Sequence, residues 1–132
     1  PKITKDIVMS QYIFIFFGAG IGGTIRAMIQ AVLNKASYAL PLGTVTVNLI
    51  GCYIIGLIFG AAESKLITRP ISTFIITGIL GGFTTFSAFS METILLLHKQ
   101  EYLYSMANIL ISIVGGITLT YVGYRSIKIF TL

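Results

Sequence analysis

One stretch near the middle of the chain limits the possible folds more than any other. Residues 71–97 form an apolar run long enough to cross a membrane, yet its centre, 78–92, contains three glycines, several hydroxyl side chains and one carboxylate. The hydrocarbon core of a bilayer, about 30 Å thick, offers no water to such polar groups. The segment must therefore face protein, an ion or a water-filled path, and we predict that it contains the functional site of the protein.

Composition indicates an integral membrane protein. Of the 132 residues, 55% are hydrophobic and 10% are charged, and the mean hydropathy is +0.93. These charges are too few to cover a soluble domain of this size. The Lys and Arg residues stand singly at the ends of apolar runs, which is typical of interfacial anchors rather than of a nucleic-acid surface. The single cysteine, Cys52, excludes a disulfide or a multi-cysteine metal site within one chain.

Four apolar runs are long enough to span a bilayer as helices. They cover about residues 12–33, 43–62, 71–97 and 103–129, and short polar connections separate them. A cleaved signal peptide would also begin with basic residues, but its apolar region would be shorter than the first run. The sequence thus predicts an all-α protein with four transmembrane helices in a single domain, residues 1–132. It predicts no soluble domain that could carry an enzyme site.

The basic residues are distributed unequally over the two sides of the membrane. With four spans, both termini and the second connection share one side, and excess Lys and Arg marks the cytoplasmic side. We therefore expect both termini in the cytoplasm. The termini side would hold Lys2, Lys5, Lys65, Arg69, Arg125 and Lys128, and the other side Lys35, Lys99 and Arg26.

Three pairs of glycines lie four residues apart within the predicted spans. This spacing lets two helix backbones approach closely in lipid, where no hydrophobic force drives helices together. We therefore predict helix packing at each pair. The pairs are Gly18 with Gly22, Gly56 with Gly60, and Gly78 with Gly82.

The adjacent glycines Gly81 and Gly82 have a further consequence. With Thr84 and Thr85 directly behind them, they weaken a helix and leave carbonyl oxygens without their usual partners. Inside a membrane such breaks occur where the carbonyls find other partners, often a cation. We therefore predict a third helix that is broken near residues 81–84.

The residues after this break favour an anion path. At helical spacing Phe86 and Phe89 share a face with hydroxyl side chains. Two phenylalanines three residues apart most often serve packing alone. The edge of a phenyl ring is positive, however, and hydroxyl groups can donate hydrogen bonds to an anion. A cation path would instead be lined by acidic side chains or carbonyls.

Five further polar or charged residues lie inside the predicted spans. Asn48 can donate to an anion or bond a neighbouring helix, while Asn108 and Ser112 stand one turn apart and could extend a polar track. Arg26 and Glu92 fall toward the end of the molecule away from the termini. They could form a salt bridge that locks two helices, or Arg26 could attract anions to a vestibule.

Three patterns together resemble the Fluc/CrcB family of fluoride channels. They are GAGIGGTIR at 18–26, GTVTVNLIG at 43–51 and GGFTTFSAFSME at 81–92, and the similarity follows all four spans in order and length. The resemblance implies a dimer of two chains inserted in opposite orientations, with two fluoride pores. It also implies a structural sodium ion at the dimer axis.

The resemblance assigns roles to individual residues as well. The backbone carbonyls of Gly81 and Thr84 would hold the sodium ion. Ala88 and Asn108 depart from the family pattern, because many members have Thr and Tyr at these positions. The fluoride pore would be lined by Asn48, Phe86, Phe89, Ser87, Ser112, Asn108 and Glu92, with Arg26 as a vestibule or structural charge.

The function implied is passive, fluoride-selective export through the cell membrane of a prokaryote. Fluoride is strongly hydrated, so a selective pore must replace its water with amide and hydroxyl donors and ring edges. We expect no organic cofactor, no nucleic-acid partner and no enzyme activity. The unequal Lys and Arg distribution leaves open that the chain is one half of an opposite-topology heterodimer.

Two other functions fit four spans less well. A small multidrug-type transporter would need an acidic residue in its first span, where this chain has Arg26. A non-conducting assembly subunit would explain the glycines but not the hydroxyl and Phe residues after Gly82.

Overall fold

The computed structural model describes residues 2–34 and 39–130, and for 2–8 it describes the backbone only. Lys35, one of the basic residues used to predict the orientation, lies outside these ranges. All regular elements in the described ranges are helical. We number them α1 (Lys2–Leu33), α2 (Leu42–Glu63), α3 (69–83), α4 (Phe86–His98) and α5 (Tyr102–Phe130).

The helices form four segments that are long and apolar enough to cross a membrane. These are Met9–Leu33, Leu42–Glu63, Arg69–His98, which combines α3 and α4, and Tyr102–Phe130. The shortest, α2, has 22 residues, which corresponds to about 33 Å of helix. The predicted all-α fold with four membrane-spanning segments is confirmed.

The third span is broken between α3 and α4, as predicted. Thr84 and Thr85 are extended, with φ/ψ of −91°/158° and −152°/114°. Gly81 and Gly82 themselves remain helical, so the glycines do not form the break. Thr85 begins α4 by accepting a hydrogen bond from the Ala88 N–H through its Oγ1, at 3.2 Å, which is an N-cap.

Two wide, π-helical stretches were not predicted. Phe74–Leu80 forms one within α3, and Ile111–Gly115 forms the other within α5. Such stretches often occur at functional sites because they displace side chains from the regular helical positions. Ile76 and Leu80 from the first, and Ser112 from the second, line the same cavity.

Glycines allow α1 and α3 to pack backbone against backbone. A Cβ on Gly22 would collide with the Ile79 carbonyl oxygen, and one on Gly82 would collide with the Ala19 carbonyl oxygen. The packing predicted for the first and third glycine pairs is confirmed. This packing also explains Gly82, because the α1 backbone occupies the space that a side chain would need.

Helices α2 and α5 form a second closely packed pair. A Cβ on Gly56 would collide with the Thr120 carbonyl oxygen, and one on Gly123 would collide with the Tyr53 carbonyl oxygen. At the end of this pair Glu63 Oε2 lies 2.9 Å from Lys128 Nζ and accepts a hydrogen bond from the Tyr124 hydroxyl at 2.7 Å. The two helix pairs meet at a small core of Val47, Leu80 and Phe83, which places the break beside α2.

Candidate functional site

A cavity of ≈ 400 Å³ lies where the broken third span faces α2 and α5. The break itself supplies part of the wall, because extended backbone leaves space that a continuous helix would fill. Four of the predicted pore residues and both predicted sodium ligands meet here. These are Asn48, Phe86, Phe89 and Ser112, together with Gly81 and Thr84.

Asn48 on α2 binds the backbone at the break. Its Nδ2 donates to the Thr85 carbonyl oxygen at 3.0 Å, and its Oδ1 accepts the Thr85 N–H at 2.8 Å. The sequence left open whether this amide donates to an anion or bonds a neighbouring helix, and in the structure two of its groups bond the third span. An amide nitrogen carries two hydrogens, so these bonds leave one N–H of Asn48, a residue that lines the cavity.

The two phenylalanines form one side of the cavity. The ring centroids of Phe86 and Phe89 are 5.3 Å apart with an interplanar angle of 47°. Phe89 is buried, whereas Phe86 is 76% exposed. The hydroxyls of Ser90 and Thr93, which share their face, donate to the carbonyls of Phe86 and Phe89 at 3.0 and 2.8 Å. These two hydroxyls therefore donate to the backbone of α4, and their hydrogens are not available to an anion beside the rings.

The polar residues of α5 divide between the cavity and the helix interface. Ser112 lines the cavity, and its Oγ is buried without a hydrogen-bond partner among the described residues. Asn108, one turn earlier, is fully buried and donates from Nδ2 to Thr93 Oγ1 at 2.9 Å. It is absent from the cavity wall, so only Ser112 offers an uncommitted hydroxyl there.

Ser87 lies outside this cavity as well. It is exposed, and its hydroxyl lies 3.1 Å from that of Thr85. Its position at the start of α4, directly after Phe86, places it at the edge of the break rather than on the cavity wall.

Glu92 lines a second, smaller cavity of ≈ 200 Å³ together with Asn34 and Lys99. Its Oε1 accepts a hydrogen bond from the Thr44 hydroxyl at 2.7 Å. The cavity at the break and the cavity beside Glu92 therefore lie at different positions along α4.

Arg26 donates to the backbone at the break and does not bind Glu92. Its Nη1 donates to the Thr84 carbonyl oxygen at 3.2 Å. The salt bridge between Arg26 and Glu92 that the sequence allowed is not formed, since Glu92 Oε1 accepts from Thr44 and its Oε2 has no hydrogen-bond partner among the described residues. Arg26 therefore fixes α1 to the break at a half-buried position.

The carbonyls at the break have the chemistry of a cation site. In an unbroken helix the Gly81 carbonyl would accept the Thr85 N–H, but that N–H donates to Asn48 here. The Thr84 carbonyl belongs to extended backbone and accepts one bond, from Arg26. Carbonyl oxygens with unused lone pairs suit an alkali cation, so the residues fit such an ion.

Three residues of this region did not stand out as functional in the sequence. Thr85 caps α4 and pairs with Asn48, and a Thr before an apolar helical run is a recognisable N-cap signal. Thr44 and Gln30 bond each other between α2 and α1. No sequence signal distinguishes Gln30 from a solvated polar residue at the end of a span.

Comparison with known proteins identifies the family. Residues 13–124 match the family described as "CrcB-like protein, Camphor Resistance (CrcB)". The chain belongs to the CrcB family. The match extends from the first span to the last, and the resemblance inferred from the motifs is confirmed.

Several relatives of this CrcB chain carry the name "Fluoride-specific ion channel FluC". The chain is 36% identical to the protein of Campylobacter jejuni (strain RM1221) over 92% of its length and 100% of the relative's. For Methylobacillus flagellatus the identity is 37% over 91% and 96%, and for Leptospira interrogans it is 38% over 89% and 94%. The spans and these relatives identify a multi-pass protein of a prokaryotic cell membrane.

Proposed function

We propose that this CrcB chain is a passive ion channel that carries fluoride out of the cell and so lowers cytoplasmic fluoride. The named fluoride channels align with it over nearly their whole length. The observation that supports the proposal most strongly is the cavity at the break. It combines a Ser112 hydroxyl that has no hydrogen-bond partner among the described residues, the remaining N–H of Asn48 and two phenyl rings.

These groups suit a small anion. Hydroxyl and amide N–H groups can donate to fluoride in place of the water it loses, and ring edges are positive. Among the described residues no acidic side chain lines this cavity, and the carbonyls of Gly81 and Thr84 on the same wall are those proposed below to hold a sodium ion. Much of the wall is apolar, with Leu80 and Ile113 among its members, which limits the water that could accompany the ion.

Transport needs no step of covalent chemistry. An inside-negative membrane potential drives a monovalent anion outward with about 2.3 kcal/mol per 100 mV. The protein's part is to lower the barrier of dehydration along the path. A channel protein of this kind is not an enzyme, and no organic cofactor enters the mechanism.

The carbonyls of Gly81 and Thr84 are proposed to hold a structural sodium ion. The diverted Thr85 N–H supports this, because it leaves the Gly81 carbonyl without its helical partner. A bound cation would hold the two halves of the third span in fixed geometry. Arg26 would support the same geometry from α1, through its bond to Thr84.

The working unit is proposed to be a dimer of two copies in opposite orientations, with two pores. The exposed Phe86 ring and the exposed Gly81 at the break support this, because a second copy would cover them and complete the wall of the path. The excess of basic residues on the termini side supports an alternative, in which the partner is an opposite-topology paralogue.

Fluoride efflux from liposomes that contain only this purified chain tests the proposal. We expect fluoride to leave while chloride is retained, and Phe86→Ile and Asn48→Asp to slow fluoride release. Equal release of both anions would contradict a fluoride channel. No release from the chain alone would exclude the homodimer, and co-reconstitution with a paralogue would then test the heterodimer.

A further inference from the structure

A series of side-chain hydrogen bonds outside the cavity at the break joins three helices near Glu92. Gln30 Nε2 on α1 donates to Thr44 Oγ1 on α2 at 3.0 Å. Thr44 Oγ1 donates in turn to Glu92 Oε1 on α4 at 2.7 Å. Thr44 is only 1% exposed, so water cannot readily replace either partner.

The direction of these bonds is fixed by the donors available. A hydroxyl has one hydrogen and two lone pairs, an amide nitrogen can only donate, and an ionised carboxylate can only accept. Because Gln30 donates to Thr44, the one hydrogen of Thr44 remains for Glu92. Gln30 thus sets the orientation of the Thr44 hydroxyl.

Thr44 bonds a neighbouring helix, as Thr120 does, whereas five other hydroxyl residues of the described helices donate to the carbonyl four residues earlier. That bond is common for Ser and Thr in helices. Thr44 stands in the first turn of α2, and Leu40 lies before the helix begins at Leu42. Its hydroxyl therefore serves a neighbouring helix. The residues with the local bond are Thr24, Thr84, Ser90, Thr93 and Ser126.

The bond to Thr44 leaves the other oxygen of Glu92 uncommitted. Glu92 Oε2 is buried and has no hydrogen-bond partner within the described residues. The side chain lines the second cavity, which Asn34 and Lys99 also line. Holding Oε1 on Thr44 determines which way Oε2 can point.

We propose that Gln30 is a positioning residue of the ion path, which acts through Thr44 to hold the Glu92 carboxylate. The inference rests on the proposed fluoride channel and adds to it a residue that does not line the cavity at the break and that hydrogen-bonds Thr44. Without the Gln30 amide, Thr44 can turn its hydrogen elsewhere, and Glu92 can leave its position beside the second cavity. Fluoride passage near the acid then slows.

A double-mutant cycle on fluoride efflux tests the proposal. Gln30→Met keeps the side-chain length and removes the donor, and it should slow efflux about fivefold, the effect of losing roughly one hydrogen bond. In a Glu92→Gln background the same change should have almost no further effect, because coupled residues are non-additive. Gln11→Met, at the opposite end of α1, is the matched control and should leave efflux unchanged.

A second readout does not depend on transport. The infrared carboxylate band that disappears in Glu92→Gln should shift in Gln30→Met and stay in place in Gln11→Met. If Glu92→Gln alone releases no fluoride, the cycle has no rate to compare, and the shift of this band then tests whether Gln30 positions Glu92. If Gln30→Met does not fold, Thr44→Val replaces it, with the same expected loss and the same band shift.

The outcomes separate the two proposals. Wild-type protein that releases no fluoride, alone or with a paralogue, would overturn the channel and this inference with it. If the wild type releases fluoride but Gln30→Met slows efflux by the same factor in the wild-type and Glu92→Gln backgrounds, does not slow it at all, or leaves the carboxylate band unmoved, Gln30 serves helix packing only and the inference is wrong.

Discussion

The side-chain amide of Asn48 binds both backbone groups of Thr85, accepting its N–H at 2.8 Å and donating to its carbonyl at 3.0 Å. An amide that pairs in this way substitutes for a neighbouring strand or helical turn. The broken helix is therefore stabilised from α2, and its two unsatisfied groups need no water. The same residue lines the cavity, so the structure of the break and the chemistry of the path depend on one side chain.

Replacement of Asn48 should accordingly affect both stability and transport. Asn48→Asp keeps an acceptor for the Thr85 N–H but sets a second oxygen against the Thr85 carbonyl and adds a negative charge. We expect fluoride efflux to fall more than tenfold and the free energy of unfolding to fall by about 1–3 kcal/mol, as for an unsatisfied buried group. Efflux and thermal unfolding measured on the same preparation check this. An unchanged melting temperature would show that the pairing does not stabilise the break.

Close packing of α1 against α3 can be tested with neighbouring glycines. A Cβ on Gly22 would collide with the Ile79 backbone, whereas one on Gly23 would meet only the Gly82 carbonyl at 3.9 Å, an ordinary contact. Gly22→Ala should therefore destabilise the protein by about 1–3 kcal/mol or more. Gly23→Ala should be neutral or slightly stabilising, because alanine favours helix. Equal melting temperatures for the two variants would contradict the packing.

Much of the fold follows from sequence pattern, because lipid restricts each span to a helix and small residues mark close contacts. The four spans, the break after Gly82 and the packing at Gly22 were predictable for this reason. The partners of the polar side chains were not. Arg26 binds the Thr84 carbonyl instead of Glu92, and Asn108 binds Thr93 instead of lining the cavity. These outcomes depend on how each helix is rotated about its axis, which residue spacing does not determine.

The π-helical stretch Ile111–Gly115 is a related case. Asn108 lies in the regular helix before this stretch and Ser112 lies within it, so regular helical spacing does not predict the same surroundings for both. One residue is fully buried at an interface, and the other lines the cavity.

Replacement of Phe86 and replacement of Phe89 should have different effects on the stability of the protein. Both line the cavity, but Phe89 is 8% exposed and Phe86 is 76% exposed. We expect Phe86→Ile and Phe89→Ile both to slow fluoride efflux, and only Phe89→Ile to lower the stability of the detergent-solubilised chain, by about 1–3 kcal/mol for a misfitting core substitution. If Phe86→Ile conducted like the wild type, its ring would have no part in the path.

A sodium ion at the break should stabilise the protein by mass action. A ligand that binds only the folded state raises stability by RT ln(1 + [L]/Kd), so the melting temperature should rise with sodium concentration. N-methyl-D-glucamine at equal ionic strength is the control, because it is too large for two carbonyls. Identical melting curves in the two salts would exclude a structural sodium ion at Gly81 and Thr84.

The most direct test of the central claim is the zero-current potential of the reconstituted chain in a bilayer that separates a high from a low fluoride concentration, with chloride as the other anion on the low-fluoride side. The fluoride channel predicts a potential close to the Nernst potential of fluoride, with little change when the chloride concentration is varied. A potential that follows the chloride gradient equally, or that follows the sodium gradient, would contradict the account.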